Sequence, residues 1–182
     1  MTRRNFLWLL SSTSLFGVMP DPASGAQPVK SIEEMQKNWK ILLGKGAAVE
    51  LSTEALRLSK DEWRKKLAPA AFNVLREEGT ERPGTSPLNA EKRAGVFVCA
   101  GCALPLFPSE MKFESGTGWP SFLTSIPGHL ATRRDFMLVL PRTEYHCVRC
   151  EGHQGHLFDD GPKPTGQRWC NNGVALRFVP MA

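Results

Sequence analysis

Four of the five cysteines fall into two C-x-x-C pairs, Cys99-Ala-Gly-Cys102 and Cys147-Val-Arg-Cys150, and this spacing constrains the fold more tightly than any other feature of the chain. Each pair follows a β-prone run, and two such turns that converge surround one tetrahedral centre with four thiolates. The 44 residues between the pairs are a long spacer, but the entropy of closing a loop grows only with the logarithm of its length. A four-thiolate centre has no open coordination position, so its expected role is structural and its expected ion is zinc, Zn2+, one per chain. Two other arrangements stay open. An oxidising compartment would favour disulfides, although a C-x-x-C disulfide is strained and no thioredoxin-like βαβ pattern surrounds either pair. Alternatively His153 and His156, which continue the three-residue beat after Cys150, would complete a Cys2His2 site.

The chain around these pairs reads as mainly β. From residue 80 onward short β-prone runs, GVFVC, LPLF, FMLVL, TEYHC and VALRFV, are separated by stretches that nearly all contain Gly or Pro, which predicts an antiparallel domain of about 100 residues. Helices are expected only upstream. Apolar residues at 32, 35, 39, 42 and 43 make a helical stripe that packs on the main domain. Ser59 and Glu62 form a capping box that starts a helix at Lys60. Pro69 interrupts that helix, and a second one runs to Glu78 and stops at Gly79.

The first 26 residues read as an export address. Arg3 and Arg4 precede an apolar run over residues 6–19, and Ser24, Gly25 and Ala26 are small enough for cleavage after Ala26. That run holds 14 residues, four of them Ser or Thr, against the ~20 needed to span a bilayer. A twin-arginine signal over 1–26 is therefore expected, with a periplasmic destination and no stable membrane anchor after cleavage. An uncleaved interfacial anchor is the competing reading. Residues 27–57 form an N-terminal extension, and residues 58–182 the main domain. A net charge of +5 with no basic stripe interleaved with aromatics argues against nucleic acid as a partner.

If the four paired thiols hold a metal, Cys170 is left over. Residues 168–178 alternate so that Arg168, Cys170 and Asn172 share one face of a strand. A guanidinium beside a thiol lowers its pKa and favours the thiolate. Upstream, GHQGHLFDDGP carries two histidines three residues apart, which on one side of a loop or helical turn are placed to give protons to a reaction at Cys170.

The stretches FVCAGCALPLF, KFESGTGWPSF, RTEYHCVRC, GHQGHLFDDGPKPTGQRWCNN and the lead-in LREEGTE resemble the B-type methionine sulfoxide reductases, in collinear order over about residues 58–179. The resemblance implies two antiparallel β-sheets with a structural zinc on Cys99, Cys102, Cys147 and Cys150. It implies that Cys170 is the nucleophile, that His153, His156 and Asn172 organise protonation of the departing oxygen, and that Arg168 and Asp160 hold the site. Trp119 matches the tryptophan that cradles the sulfur's methyl group. The substrate class would be methionine (R)-sulfoxide in proteins or peptides, and Cys170 would become a sulfenic acid.

The main departure from that family concerns how the sulfenic acid is removed. Where many members carry a second cysteine that condenses with it, this chain has Thr117. An external thiol donor, such as a thioredoxin-like partner or another periplasmic thiol, is the expected reductant. Residues 83–87, PGTSP, replace a P-F-T-G stretch, Asn171 and Gly173 replace an aliphatic residue and a serine, and Gln154 replaces a leucine between the histidines. The competing class is a non-enzymatic zinc-knuckle binding module or thiol redox sensor on the same scaffold. Such a module has no need for Cys170, His153, His156, Trp119 and Asn172 together.

Overall fold

The structure is a computed structural model and describes residues 30–135 and 141–181. The expected export signal and the FMLVL run over 136–140 lie outside the described residues. Among the described residues nine strands form two antiparallel sheets. β1 (Gly95–Cys99) lies between β2 (Pro105–Pro108) and β9 (Leu176–Pro180) in a three-stranded sheet. The larger sheet runs in the order β3 (Lys112–Phe113), β4 (Ser121–Phe122), β8 (Arg168–Asn171), β7 (His153–Phe158), β6 (Arg142–Cys147), β5 (Leu130–Asp135). The mainly β reading and the two antiparallel sheets implied by the resemblance both hold.

Alternation of side chains along β1 decides how the layers stack. Phe97 and Cys99, with Phe107 of β2, face the larger sheet, where Phe122, Tyr145 and Trp169 complete the core. Phe107 and Phe122 stack with ring centroids 4.0 Å apart, and Tyr145 meets Trp169 edge-on at 4.9 Å. Val96 and Val98 face the other way, and a second cluster covers them with Trp39, Leu42, Ile126 and Val179. Trp39 and Leu42 come from the N-terminal extension. It forms α1 (Ile32–Asn38), capped by a Ser31–Glu34 box, and a 3-10 turn, Trp39–Leu42. The extension thus supplies the layer that hides the outer face of the small sheet, and it runs on as an extended segment tied by Glu50 and the Glu54 carbonyl to Arg149.

The two central helices lie where capping chemistry puts them. α2 (Lys60–Lys66) begins with the reciprocal Ser59–Glu62 bonds, and α3 (Pro69–Glu77) takes Pro69 as its first residue, where a missing N–H costs nothing. The left-handed residue that closes α3 is Glu78, at φ 56°, not Gly79. Gly79 is needed for space, because a Cβ there would lie 2.1 Å from the Asn73 side-chain amide. Among the described residues no helix is long and apolar enough to cross a membrane.

One strand was not expected, and two expectations need correction. LATRRD, over Leu130–Asp135, is a strand although only its first two residues are apolar, because its backbone pairs with β6. The alternating stretch 168–178 is not one strand: it breaks after Asn171 into a 3-10 turn, Gly173–Ala175, before β9. The histidine segment is strand β7, not a loop or helical turn. There Gly155 lies against Asn171 of β8, and a Cβ on Gly155 would sit 1.9 Å from the Cys170 carbonyl oxygen. Backbone cannot yield as a side-chain tip does, so Gly155→Ala should destabilise the protein by about 2 kcal/mol or more. Urea denaturation checks this, and a change under about 0.5 kcal/mol, the range of neutral surface substitutions, would show that the two strands are not held so close.

Candidate functional site

Two chain reversals of the same geometry build the thiol cluster. After Cys102 and after Cys150 the next residue is left-handed, Ala103 at φ 61° and Glu151 at φ 57°. In each turn that residue's amide returns to the carbonyl of the first cysteine, Ala103 to Cys99 and Glu151 to Cys147, both at 2.8 Å. The first cysteine's own amide then bonds the carbonyl two residues past the second, Cys99 to Leu104 and Cys147 to Gly152. Amides and sulfurs thus point inward in matching arrangements at the ends of β1 and β6.

The four sulfurs lie within 4.8 Å of one another, with Cys99–Cys150 at 3.6 Å and Cys102–Cys147 at 3.5 Å. Bonded sulfurs would lie about 2.05 Å apart, so neither pair is a disulfide; the shortest approaches also run between the two turns instead of within them. Metal–sulfur bonds of about 2.3 Å directed to the corners of a tetrahedron separate the sulfurs by nearly 4 Å, in line with these spacings. All four cysteines are buried, and neither histidine joins the group, which removes the Cys2His2 arrangement. Leu75 of α3 lies across the mouth: a Cβ on Gly101 would stand 3.6 Å from the Leu75 side chain and from the sulfurs of Cys99 and Cys150 alike. Four clustered, buried thiols fit a metal ion.

Some 20 residues further along, the larger sheet presents a row of partners across its strands. Register places Arg133, Glu144, His156, Cys170 and Ser121 side by side on β5, β6, β7, β8 and β4. Paired residues share a face, so Cys170 has His156 directly beside it. Both line one small cleft of about 110 Å³ with Trp119, Asn172, Arg142 and Phe158. Trp119 is held there by its indole N–H donating to the Glu81 carbonyl at 3.2 Å. Asn172 stitches the rim: its side-chain oxygen accepts from the Glu81 amide and its side-chain nitrogen donates to the Gln154 carbonyl, each at 3.0 Å.

Histidines three apart on a regular strand would point to opposite faces. They share one here because β7 bulges: Tyr145 pairs with Gly155, but His146 pairs with His153, leaving Gln154 as the extra residue. His153 and His156 stand with ring centroids 5.4 Å apart. Only His156 reaches the cleft. Its Nε2 bonds Asp135 at 2.9 Å, and Asp135 also takes Arg142 at 2.7 Å. A carboxylate only accepts, so Nε2 carries the hydrogen and Nδ1 is left as the acceptor. His153 lies behind it, buried, with Nδ1 on Glu144 at 2.7 Å; Glu144 also takes Arg133, which in turn bonds Glu78. Burial, followed by the nearby Arg142 and His153, holds the His156 pKa below the ordinary 6.5 despite the Asp135 contact.

The thiol differs from the sequence reading. Burial raises the Cys170 pKa above the ordinary 9.0, outweighing the downward pull of Arg168 beside it and of the Thr117 hydroxyl. Arg168 is also committed elsewhere. It donates two bonds to Asp160, at 2.8 and 2.9 Å, and its guanidinium lies 4.2 Å over the Phe158 ring. Most of its charge is answered before it reaches the sulfur. The resting site therefore holds a thiol beside a neutral imidazole.

Four of the departures from the family pattern prove to be two compensated pairs. Gln154 and Asn171 touch at 3.4 Å, Tyr145 donates to Asn171 at 3.0 Å, and Gln154 donates to the Cys99 sulfur at 3.4 Å. The bulge residue of the site thus reaches the thiol cluster through a buried polar chain, and nothing in the sequence signalled that connection. Ser86, within the altered 83–87 stretch, fills the space at Gly173, where a Cβ would lie 1.9 Å from its hydroxyl.

Comparison with known proteins agrees with this geometry. A SelR domain matches residues 67–180. The chain is 50% identical over 121 residues to a peptide methionine sulfoxide reductase MsrB of Pseudomonas putida, covering 66% of this chain and 91% of that protein. It is 47% identical over 123 residues to an MsrB of Bradyrhizobium diazoefficiens (67% and 88% of the two chains). It is 48% identical over 145 residues to the human mitochondrial methionine-R-sulfoxide reductase B2 (75% and 80%). The SelR match spans both thiol turns and every residue of the Cys170 cleft, and on that ground the chain belongs to the SelR family of B-type methionine sulfoxide reductases.

Proposed function

We propose that this enzyme reduces methionine (R)-sulfoxide in proteins or peptides by attack of the Cys170 sulfur, with an external thiol restoring the cysteine. The observation that carries the reading is the direct cross-strand pairing of Cys170 with His156 inside a cleft walled by Trp119. A sulfoxide needs a nucleophile at sulfur and a proton at oxygen. The thiol and the neutral imidazole hold that one proton between them: His156 Nδ1 accepts it from Cys170 as the sulfur attacks and passes it to the departing oxygen. Asp135 stabilises the transient imidazolium. Trp119 receives the methyl group, and Arg168, fixed by Asp160, orients the oxygen's surroundings. His153 and Asn172 act by holding His156 and the rim in place. The sulfoxide and the Cys170 thiol give methionine and Cys170 sulfenic acid. One reductant thiol then forms a mixed disulfide and releases water, and a second restores the thiol.

Zinc is the ion the four-thiolate cluster suits, on ligand type and on its closed, buried geometry. Bound there it supplies a cross-link between the sheets and takes no part in the chemistry at Cys170. We further propose a periplasmic site of action, which the signal-like pattern read in residues 1–26 supports, with a periplasmic thiol donor as reductant.

Incubating the protein with the separated R and S epimers of a methionine-sulfoxide peptide and a small dithiol should reduce only R, and Cys170→Ser should lower the rate at least about 10³-fold, the scale on which loss of a covalent nucleophile is felt. Reduction of neither epimer, or full activity in Cys170→Ser, would sink the reading. The reactive protonation state also fixes the sign of the pH profile. The single-turnover rate should be flat through neutral pH, falling in acid as His156 protonates below 6.5 and in base as Cys170 ionises above 9.0. A rate still rising tenfold per unit between pH 6 and 8 would mean that a preformed thiolate attacks instead. Thiol titration of the native, zinc-loaded protein should count Cys170 alone, against five cysteines after unfolding with chelator; five reactive thiols in the native protein would refute the metal centre.

A further inference from the structure

Gln154 is the extra residue of the β7 bulge, and its side chain runs inward to the thiol cluster. Its Nε2 donates to the Cys99 sulfur at 3.4 Å, and its Oε1 accepts from Asn171 Nδ2 at 3.4 Å. Asn171 in turn accepts from the Tyr145 hydroxyl at 3.0 Å and also donates to the Asn172 carbonyl at 2.8 Å. Tyr145, Asn171, Gln154 and Cys99 are all fully buried. The Gln154 backbone is pinned as well, its carbonyl taking the Asn172 amide at 2.9 Å and the Asn172 side chain at 3.0 Å. Residues of β6, β8 and β7 thus form one polar row that ends on the last residue of β1.

The row has a direction. A thiolate bound to a metal has lone pairs and no hydrogen, so the Cys99 sulfur only accepts, and an N–H of Gln154 must face it. That leaves the Gln154 oxygen toward Asn171, which must answer with its own N–H and so presents its oxygen to the Tyr145 hydroxyl. Reversing either amide would set two acceptors against each other. Every hydrogen from Tyr145 onward therefore points toward the sulfur, and dipoles in series reinforce one another in a dry interior. Four thiolates around a divalent cation leave a net negative charge, which donors aimed at the sulfurs offset without adding a buried charge. The pairing also explains why two positions depart together from apolar residues: either amide alone would be buried without its partner.

We propose that Gln154, aligned by Asn171 and Tyr145, is the outer hydrogen-bond donor of the metal centre, whose N–H on the Cys99 sulfur holds that ligand in place and slows loss of the ion. Donors behind the ligands of a metal are commonly felt tenfold or more in its retention. The inference rests on the reading of the four thiols as a zinc centre and is independent of the chemistry at Cys170. In this role Gln154 is a positioning residue.

The test is the rate at which zinc passes from the loaded protein to a chelating dye in excess, at constant pH. Gln154→Leu should release zinc about tenfold faster than the parent, and Tyr145→Phe, which keeps its shape and loses only the first donor of the row, about twofold faster. Gln154→Leu alone also strands the Asn171 amide. The triple variant Gln154→Leu, Asn171→Ile, Tyr145→Phe makes the whole row apolar and separates the two effects. Release still about tenfold faster in the triple variant supports the donor role, and release at the parent's rate overturns it. With Co2+ in place of zinc, losing the donor should also move the thiolate-to-cobalt charge-transfer band to longer wavelength in both Gln154 variants, and an unmoved band overturns the proposal. If neither Gln154 variant folds, Tyr145→Phe decides, and a parent-like rate there overturns it. A parent protein that binds no zinc would refute the metal centre itself, a failure distinct from that of a loaded parent whose variants keep its rate.

Discussion

The convergence of two C-x-x-C turns is the constraint on which the rest of the structure depends. Cys99 closes β1 of the small sheet and Cys147 closes β6 of the large one, so a metal bound by the four thiolates would tie the two layers at one corner. Both turns need a left-handed residue after the second cysteine, and neither uses glycine there. A strain of about 1 kcal/mol at each is tolerable where a metal over-determines the geometry. Beyond this corner the layers are held by aromatic stacking between Phe97, Phe107 and Phe122.

From that corner the order of the site continues in sequence and in space. The turn ending at Cys150 leads within three residues into β7, where the Gln154 bulge brings His153 and His156 to one face. Gln154 itself points inward to Cys99 and Asn171. A buried amide is tolerated only with its hydrogen bonds made, and here the same residue that fixes the histidine parity is satisfied by a metal-site sulfur. The rigidity of the metal corner is thereby passed to the strand that carries the imidazole. The opposite wall is stapled by backbone contacts of another kind, with Glu81 taking the amides of Gly173 and Val174 and Asn172 holding the Glu81 segment.

The electrostatics of the cleft run against the simplest expectation. A lone thiol beside an arginine suggests a standing thiolate, yet the carboxylate that fixes Arg168 also screens it, and burial disfavours charge on both Cys170 and His156. The outcome is a neutral pair, which in the proposed reaction would separate charge only as the oxygen becomes able to receive the proton. A cleft with this balance keeps its sulfur unreactive toward casual oxidants until a sulfoxide is seated.

Much of this was legible in the chain. The cysteine spacing pointed to the metal centre, the alternation of short apolar runs to an antiparallel fold, the Ser59–Glu62 box and Pro69 to the helix starts, and the motifs around Cys170, His156 and Trp119 to the site, because each is a local pattern whose chemistry is carried by a few neighbouring residues. The polar strand Leu130–Asp135 was not legible, since only pairing with β6 makes it a strand. Nor were the break at Asn172 and the bulge at Gln154, which are choices of register made between strands. Sequence alone singled out the groups proposed for the chemistry and the four thiols that gather. Tertiary structure alone decided that one histidine faces the cleft while the other stands behind it and that Arg168 is answered by Asp160, because each depends on distances between segments that local sequence does not encode.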